Sequence, residues 1–103
     1  MKTLFDCYSR LLIDNHITDL KPEYMRKFDP AEYVEMVRLA GVEAAMVYAS
    51  DHNGNCYYPS RIGHVHGGCV GRDLFGETVR LLAEAGIVPV GYHTVVYQKE
   101  PAY

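Results

Sequence analysis

Tryptophan is missing from this 103-residue chain, and several other compositional signals are missing with it. Cysteine is scarce. Cys7, Cys56 and Cys69 are an odd number and form no C-x-x-C pair, which sets aside a disulfide framework and fits reduced thiols in a cytoplasm. Basic charge is not in excess: 10 lysines and arginines stand against 13 aspartates and glutamates, a net charge of −3. There is then no cationic stripe for nucleic acid or for an anionic membrane surface. No apolar run approaches the ~20 residues that cross a bilayer. The opening "MKTLFDCYSR" meets Asp6 and Arg10 before a signal-peptide core develops. A phosphate-binding G-x-G-x-x-G is also absent from the first strand-to-helix turn, where "DNHITDLKPEY" stands. The expectation is one soluble, cytoplasmic domain with no cofactor and no metal.

What is present is a repeat. "EYVEMVRLAGV" (32–42) aligns with "ETVRLLAEAGI" (77–87) at an offset of 45 residues, close to one strand-plus-helix unit carrying a long loop. Each copy has helix punctuation. Asp29 can cap, Pro30 suits the first helical position, Glu32 completes a capping box and Gly41 stops the helix. Asp73 and Gly86 do the same for the second copy. The expected apolar stripes are Tyr33, Met36, Val37 and Ala40, then Phe75, Val79 and Leu82. Residues 11–13, 43–49 and 88–96 read as continuously apolar strands, the pattern of parallel strands buried on both faces. The fold class is therefore α/β: β-α-β-α-β with three parallel strands, the first units of a (β/α)8 TIM barrel. Two one-sided helices leave the other sheet face bare, so self-association or further carboxyl-terminal barrel units are expected to cover it.

In such folds chemistry gathers at the strand carboxyl ends. Those ends carry Asp14, Asn15 and His16; then Ser50, Asp51, His52 and Asn53; then His93. Three histidines on one rim suggest a substrate site, although each could also hydrogen-bond nearby backbone. The nine tyrosines suit stacking on sugar rings while their hydroxyls bond sugar oxygens. Tyr57, Tyr58 and Tyr97 are placed on the rim, Tyr33 and Tyr48 in the core. The long loop 53–72 holds His64, His66 and Cys69, a candidate metal set whose spacing matches no familiar zinc pattern. Among the rim acids Asp14, Asp19, Asp51 and Glu100, Asp51 is best placed, yet it could brace the turn instead. No acid can be named nucleophile or proton donor from this pattern.

"LLIDNHITD", the stretch from Phe28 through "YASDHNGNCYYPS" to His66, and "GRDLFGETVRLLAEAGIVPVGYHTVVY" together resemble a glycoside hydrolase family with a TIM-barrel catalytic domain. That family is called hypothetical glycosyl hydrolase 6 and is related to α-L-fucosidase and family-42 β-galactosidase-like barrels. "SDHNGNCYYP" is similar to the fucosidase pattern lysine-His-His-Asp-Gly-Phe: His52 and Gly54 match, Asp51 replaces the first histidine and Asn53 the aspartate. The resemblance implies hydrolysis of glycosidic bonds in a carbohydrate substrate. It assigns sugar binding to His52 and places the catalytic carboxylates on later strands. The substrate-binding set is then His16, Asp51, His52, Asn53, Tyr57, Tyr58 and His93. The alternative is a non-catalytic carbohydrate-binding or self-assembling barrel fragment.

Overall fold

Two helices form where their punctuation places them. A computed structural model describes residues 2–17, 19–21 and 23–93. Helix α2 (Pro30–Ala40) follows α1, a single turn at Glu23–Arg26. The Asp29 carboxylate accepts from the Ala31 and Glu32 amides, and Gly41 ends α2 in the left-handed region at φ 75°. Helix α3 (Leu74–Glu84) starts from Asp73, whose side chain accepts from the Gly76 amide.

Strands β1 (Arg10–Leu11), β2 (Ala44–Tyr48) and β5 (Val88–Tyr92) form a parallel sheet in the order β1-β2-β5. β2 and β5 pair from Ala44 with Val88 through to Tyr48 with Tyr92. Ala45 and Val47 point to one face, where Val34 and Val37 of α2 and Leu82 of α3 close the main core. The helices thus share one face, and the sheet is the start of a (β/α)8 barrel. On the opposite face, the upper end around Tyr48 is covered by Met25, Phe28, Tyr57 and Leu74. Lower down, Leu4, Leu12, Ala44, Met46 and Val90 line a groove of about 170 Å³.

Three details differ from the sequence expectation. β1 is only two residues long, and Leu12 and Ile13 are exposed beyond it. The buried face of α2 is Pro30, Val34 and Val37, with Met36 62% exposed, so the stripe is rotated by part of a turn. The long loop has its own structure: β3 (Asn55–Cys56) pairs parallel with β4 (His64–Val65), and a 3-10 turn follows at Gly67–Cys69. The last strand is described only to Tyr92; its expected residues 94–96, with Tyr97 and Glu100, lie outside the described residues. Arg72 joins this loop to α1 by donating to the carbonyls of Arg26 (2.9 Å) and Phe28 (2.6 Å). No helix among the described residues is long and apolar enough to cross a membrane.

Glu43 fastens the amino-terminal segment at the base of β2. Its Oε2 accepts from Lys2 Nζ at 2.7 Å and its Oε1 from the Tyr8 amide at 2.9 Å. The Lys2 hydrogen bond, followed by the Tyr8 and Ser9 amides, holds its carboxyl down to about 2, against 4.5 for an unperturbed glutamate. A carboxyl depressed in the folded state contributes stability that is present above the unfolded value and lost as pH falls through the folded one. Glu43→Gln should therefore flatten the stability profile between about pH 4.5 and about pH 2 and leave neutral pH less affected in slope. Denaturant melts across that window check it; an unchanged acid slope would remove Glu43 from the account.

Candidate functional site

β2 and β5 end side by side on Tyr48 and Tyr92, whose rings stack at 4.4 Å and 22°. His16, on the connection after β1, sets its ring edgewise against Tyr48 (4.9 Å), Tyr92 (5.5 Å) and His52 (4.4 Å). Its Nδ1 accepts the His52 backbone N–H at 3.0 Å, which leaves the ring proton on Nε2. Nε2 lies 3.3 Å from the Tyr48 hydroxyl, which in turn reaches Asp14 Oδ1 at 3.5 Å. Burial first, then the Asp14 charge, pushes the Tyr48 phenol up, so that hydroxyl stays protonated and can donate. The result is a cluster of aromatic rings and directed N–H and O–H groups at the carboxyl end of the sheet, in which Tyr48 is buried, as the sequence places it, and His16, His52 and Tyr92 reach the surface.

Beneath the rim lies Asp51, 0% exposed. Its Oδ1 accepts from the Asn53 and Asn55 amides, both at 2.9 Å. Its Oδ2 accepts from Asn55 Nδ2 at 2.9 Å and the Tyr57 hydroxyl at 3.0 Å. Asp51 therefore braces the turn, the second of its two sequence readings. Tyr57 is 2% exposed and belongs to the interior, not the rim; burial pushes its phenol well above the ordinary range. Asn53 is half-buried on the same turn.

His93 does not join His16 and His52. Side chains alternate along a strand, so the residue after the inward Tyr92 turns to the helix side. There His93 Nδ1 meets Ser50 Oγ at 2.7 Å, and the ring lines a cleft of about 680 Å³ with Tyr58, Pro59, Asp73 and Phe75. Two of the three strand-end histidines converge; the third belongs to another pocket.

The loop histidines tie two connections together. Asp19 Oδ2 meets His64 Nε2 at 2.5 Å, and Asp19 Oδ1 accepts the Gly67 amide at 2.9 Å. Burial works against it, but the His64 and Gly67 bonds hold the Asp19 carboxyl below the usual range. The fully buried His66 accepts the Gly68 amide on Nδ1. Among the described residues no group of three or more His, Cys, Asp and Glu is arranged to hold a metal ion. Burial pushes the Cys69 thiol up to about 11, which makes it a poor ligand and a poor nucleophile. The sequence reading missed Tyr92 as the partner of Tyr48; the repeat offset of 45 aligns Tyr48 with His93, and the strand register is shorter by one residue.

A barrel opening of this kind, with its polar cluster at the strand carboxyl ends, is related in structure to glycoside hydrolases. The particular relatives are α-L-fucosidases. The chain superposes on α-L-fucosidase isoenzyme 2 from Paenibacillus thiaminolyticus with a TM-score of 0.80 and 26% identity, over 89% of this chain and 14% of that one. A GH29 α-L-fucosidase from Bacteroides thetaiotaomicron matches with a TM-score of 0.64 and 28% identity, over 76% of this chain and 18% of that one. The chain thus spans under a fifth of the length of these two structures. No protein-family model matches it, and no curated protein does.

Proposed function

We propose that these residues form part of the substrate-binding rim of a glycoside hydrolase that cleaves an α-L-fucoside or a closely related glycoside. The observation that carries this is the His16–His52–Tyr48–Tyr92 cluster at the strand carboxyl ends of a fucosidase-like barrel opening. The imidazole edges of His16 and His52 suit sugar oxygens, while the half-buried Tyr92 ring, backed by the buried Tyr48, suits the apolar face of a deoxy sugar. His93 and Tyr58 serve a neighbouring pocket in the same reading.

Hydrolysis needs two carboxyl groups, ~5–5.5 Å apart for retention or ~6.5–9.5 Å for inversion. Asp51 is committed to the turn and Asp19 to His64, which among the described rim acids leaves Asp14. In this proposal the acid pair comes from other units of the barrel and this segment contributes binding. The Bacteroides thetaiotaomicron enzyme has been trapped as a covalent intermediate with 2-fluoro-fucosyl fluoride. That supports a retaining route for the whole protein. The three buried free thiols suit a reducing cytoplasm.

The test is titration of the chain with L-fucose and with a monovalent iminocyclitol, the inhibitor class bound by another fucosidase neighbour. His52→Ala and His16→Ala are each expected to weaken binding about tenfold or more with unchanged circular dichroism. Equal affinity in the parent and both variants would overturn the reading. A second reading, a non-catalytic carbohydrate-binding assembly, rests on the Met46 and Val90 groove. A discrete oligomer in light scattering, lost with Met46→Glu, would favour it.

A further inference from the structure

We propose that Tyr57 is a positioning residue that sets the orientation of His16; its consequence for ligand binding rests on the sugar-binding reading above. His16 is the middle residue of a very tight turn. The Ile17 amide donates to the Asn15 carbonyl at 2.9 Å, an i→i+2 closure around His16. No described non-glycine residue has a positive φ, so this is the inverse, unstrained form of the turn. Asp14 Oδ1 steadies it from the other side by accepting the His16 amide at 3.0 Å.

The Tyr57 hydroxyl sits directly on the closing bond. It lies 2.5 Å from the Asn15 carbonyl oxygen and 3.3 Å from the Ile17 amide, so it touches both residues that flank His16. A phenol has one proton to give and can accept as well. It accepts from Ile17 and donates to the Asn15 carbonyl or to Asp51 Oδ2. Its own backbone is held at both ends: the amide donates to the Ala49 carbonyl and the carbonyl accepts from the Phe75 amide, each at 2.9 Å. Tyr57 is therefore a rigid arm rooted between the end of β2 and the start of α3. Its hydroxyl carries the position of that scaffold, 40 residues along the chain, to the turn that presents His16.

The consequence falls on one ring. His16 keeps its proton on Nε2 only while Nδ1 faces the His52 amide, and that facing depends on the height and tilt of the turn. Without the hydroxyl the turn keeps its internal bond and loses its anchor. Packing is unaffected by the loss of one oxygen, because the Tyr57 ring remains in the second core cluster with Met25, Cys69 and Leu74.

Tyr57→Phe in the full chain separates positioning from packing. The expected result is an intact fold by circular dichroism, with about tenfold faster exchange of the Ile17 amide and a His16 ring that no longer holds one tautomer in 15N spectra. Weaker iminocyclitol binding, about tenfold, should follow in the same variant. Unchanged Ile17 exchange and an unchanged His16 tautomer would overturn the proposal whatever happens to stability. The ring signals are read without ligand, so a parent chain that binds no sugar would remove the functional reading and leave this one standing. Should the phenylalanine variant not fold, 3-fluorotyrosine at position 57 keeps the shape and sharpens the donor. Shifts at Ile17 and the His16 ring would then support the proposal, and shifts confined to residues packed on the Tyr57 ring would refute it.

Discussion

Asp51→Ala is expected to cost ~3–5 kcal/mol of folding free energy, the largest loss of any single polar side chain among the described residues. Four donors converge on that carboxylate: two backbone amides, the Asn55 side-chain amide and the Tyr57 hydroxyl. Each donor left buried without a partner costs ~1–3 kcal/mol, and rearrangement of the turn recovers part of the sum. Asp51→Asn should be milder, ~1–3 kcal/mol. Its amide oxygen can replace Oδ1, and the Tyr57 hydroxyl can turn to accept from the new NH2 while donating to Asn15. Urea unfolding of the three proteins orders them; an alanine variant within ~0.5 kcal/mol of the parent would mean the carboxylate is not the hub of the turn.

That hub divides the strand end into two levels. Above are His16, His52 and Tyr92, which a ligand could touch; below are the buried Tyr48, Asp51, Asn55 and Tyr57, which hold the upper level in place. Asp51 is buried and fully bonded away from the rim, while its neighbour His52 keeps a place at the surface.

The sequence carried the repeat and the helix ends plainly, because an aspartate before a proline or an Ala-Gly pair has few structural uses. Strand direction and order followed from continuous apolar runs joined by helices. The two-residue strands β3 and β4 and the one-turn α1 left no periodic trace, since four residues or fewer define no period. The site was legible by position and not by direction. Placing three histidines at strand ends was within reach, but which face each takes depends on counting alternation from the true last strand residue, and His93 is one step past Tyr92. Asp19 and His64 are 45 residues apart, and nothing local announces their pairing. Likewise Tyr57 and Tyr58 are chemically equal in sequence; only the register of β3 sends one inward and leaves the other at the cleft.

The phase of the helices gives the second large prediction. Leu82 is 0% exposed and packs against Val34 and Val37 of α2 and Ala45 and Val47 of β2, so it joins both repeat units to the sheet. Leu82→Ala removes that contact from a site bounded on three sides by elements that cannot all collapse inward, and the cost should be ~3–5 kcal/mol. Met36→Ala is the control, because Met36 belongs to the stripe expected from sequence yet is 62% exposed. Its loss should lie within ~0.5 kcal/mol, since little apolar surface is uncovered. A chain in which both substitutions cost alike would have α2 rotated toward the Tyr33–Met36–Ala40 face. Pairing Leu82→Ala with Val34→Ala makes the point sharper: the two side chains share one core, so their combined cost should fall measurably short of, or exceed, the simple sum. Strict additivity would place them in separate clusters and would undo the arrangement of both helices on one face of the sheet.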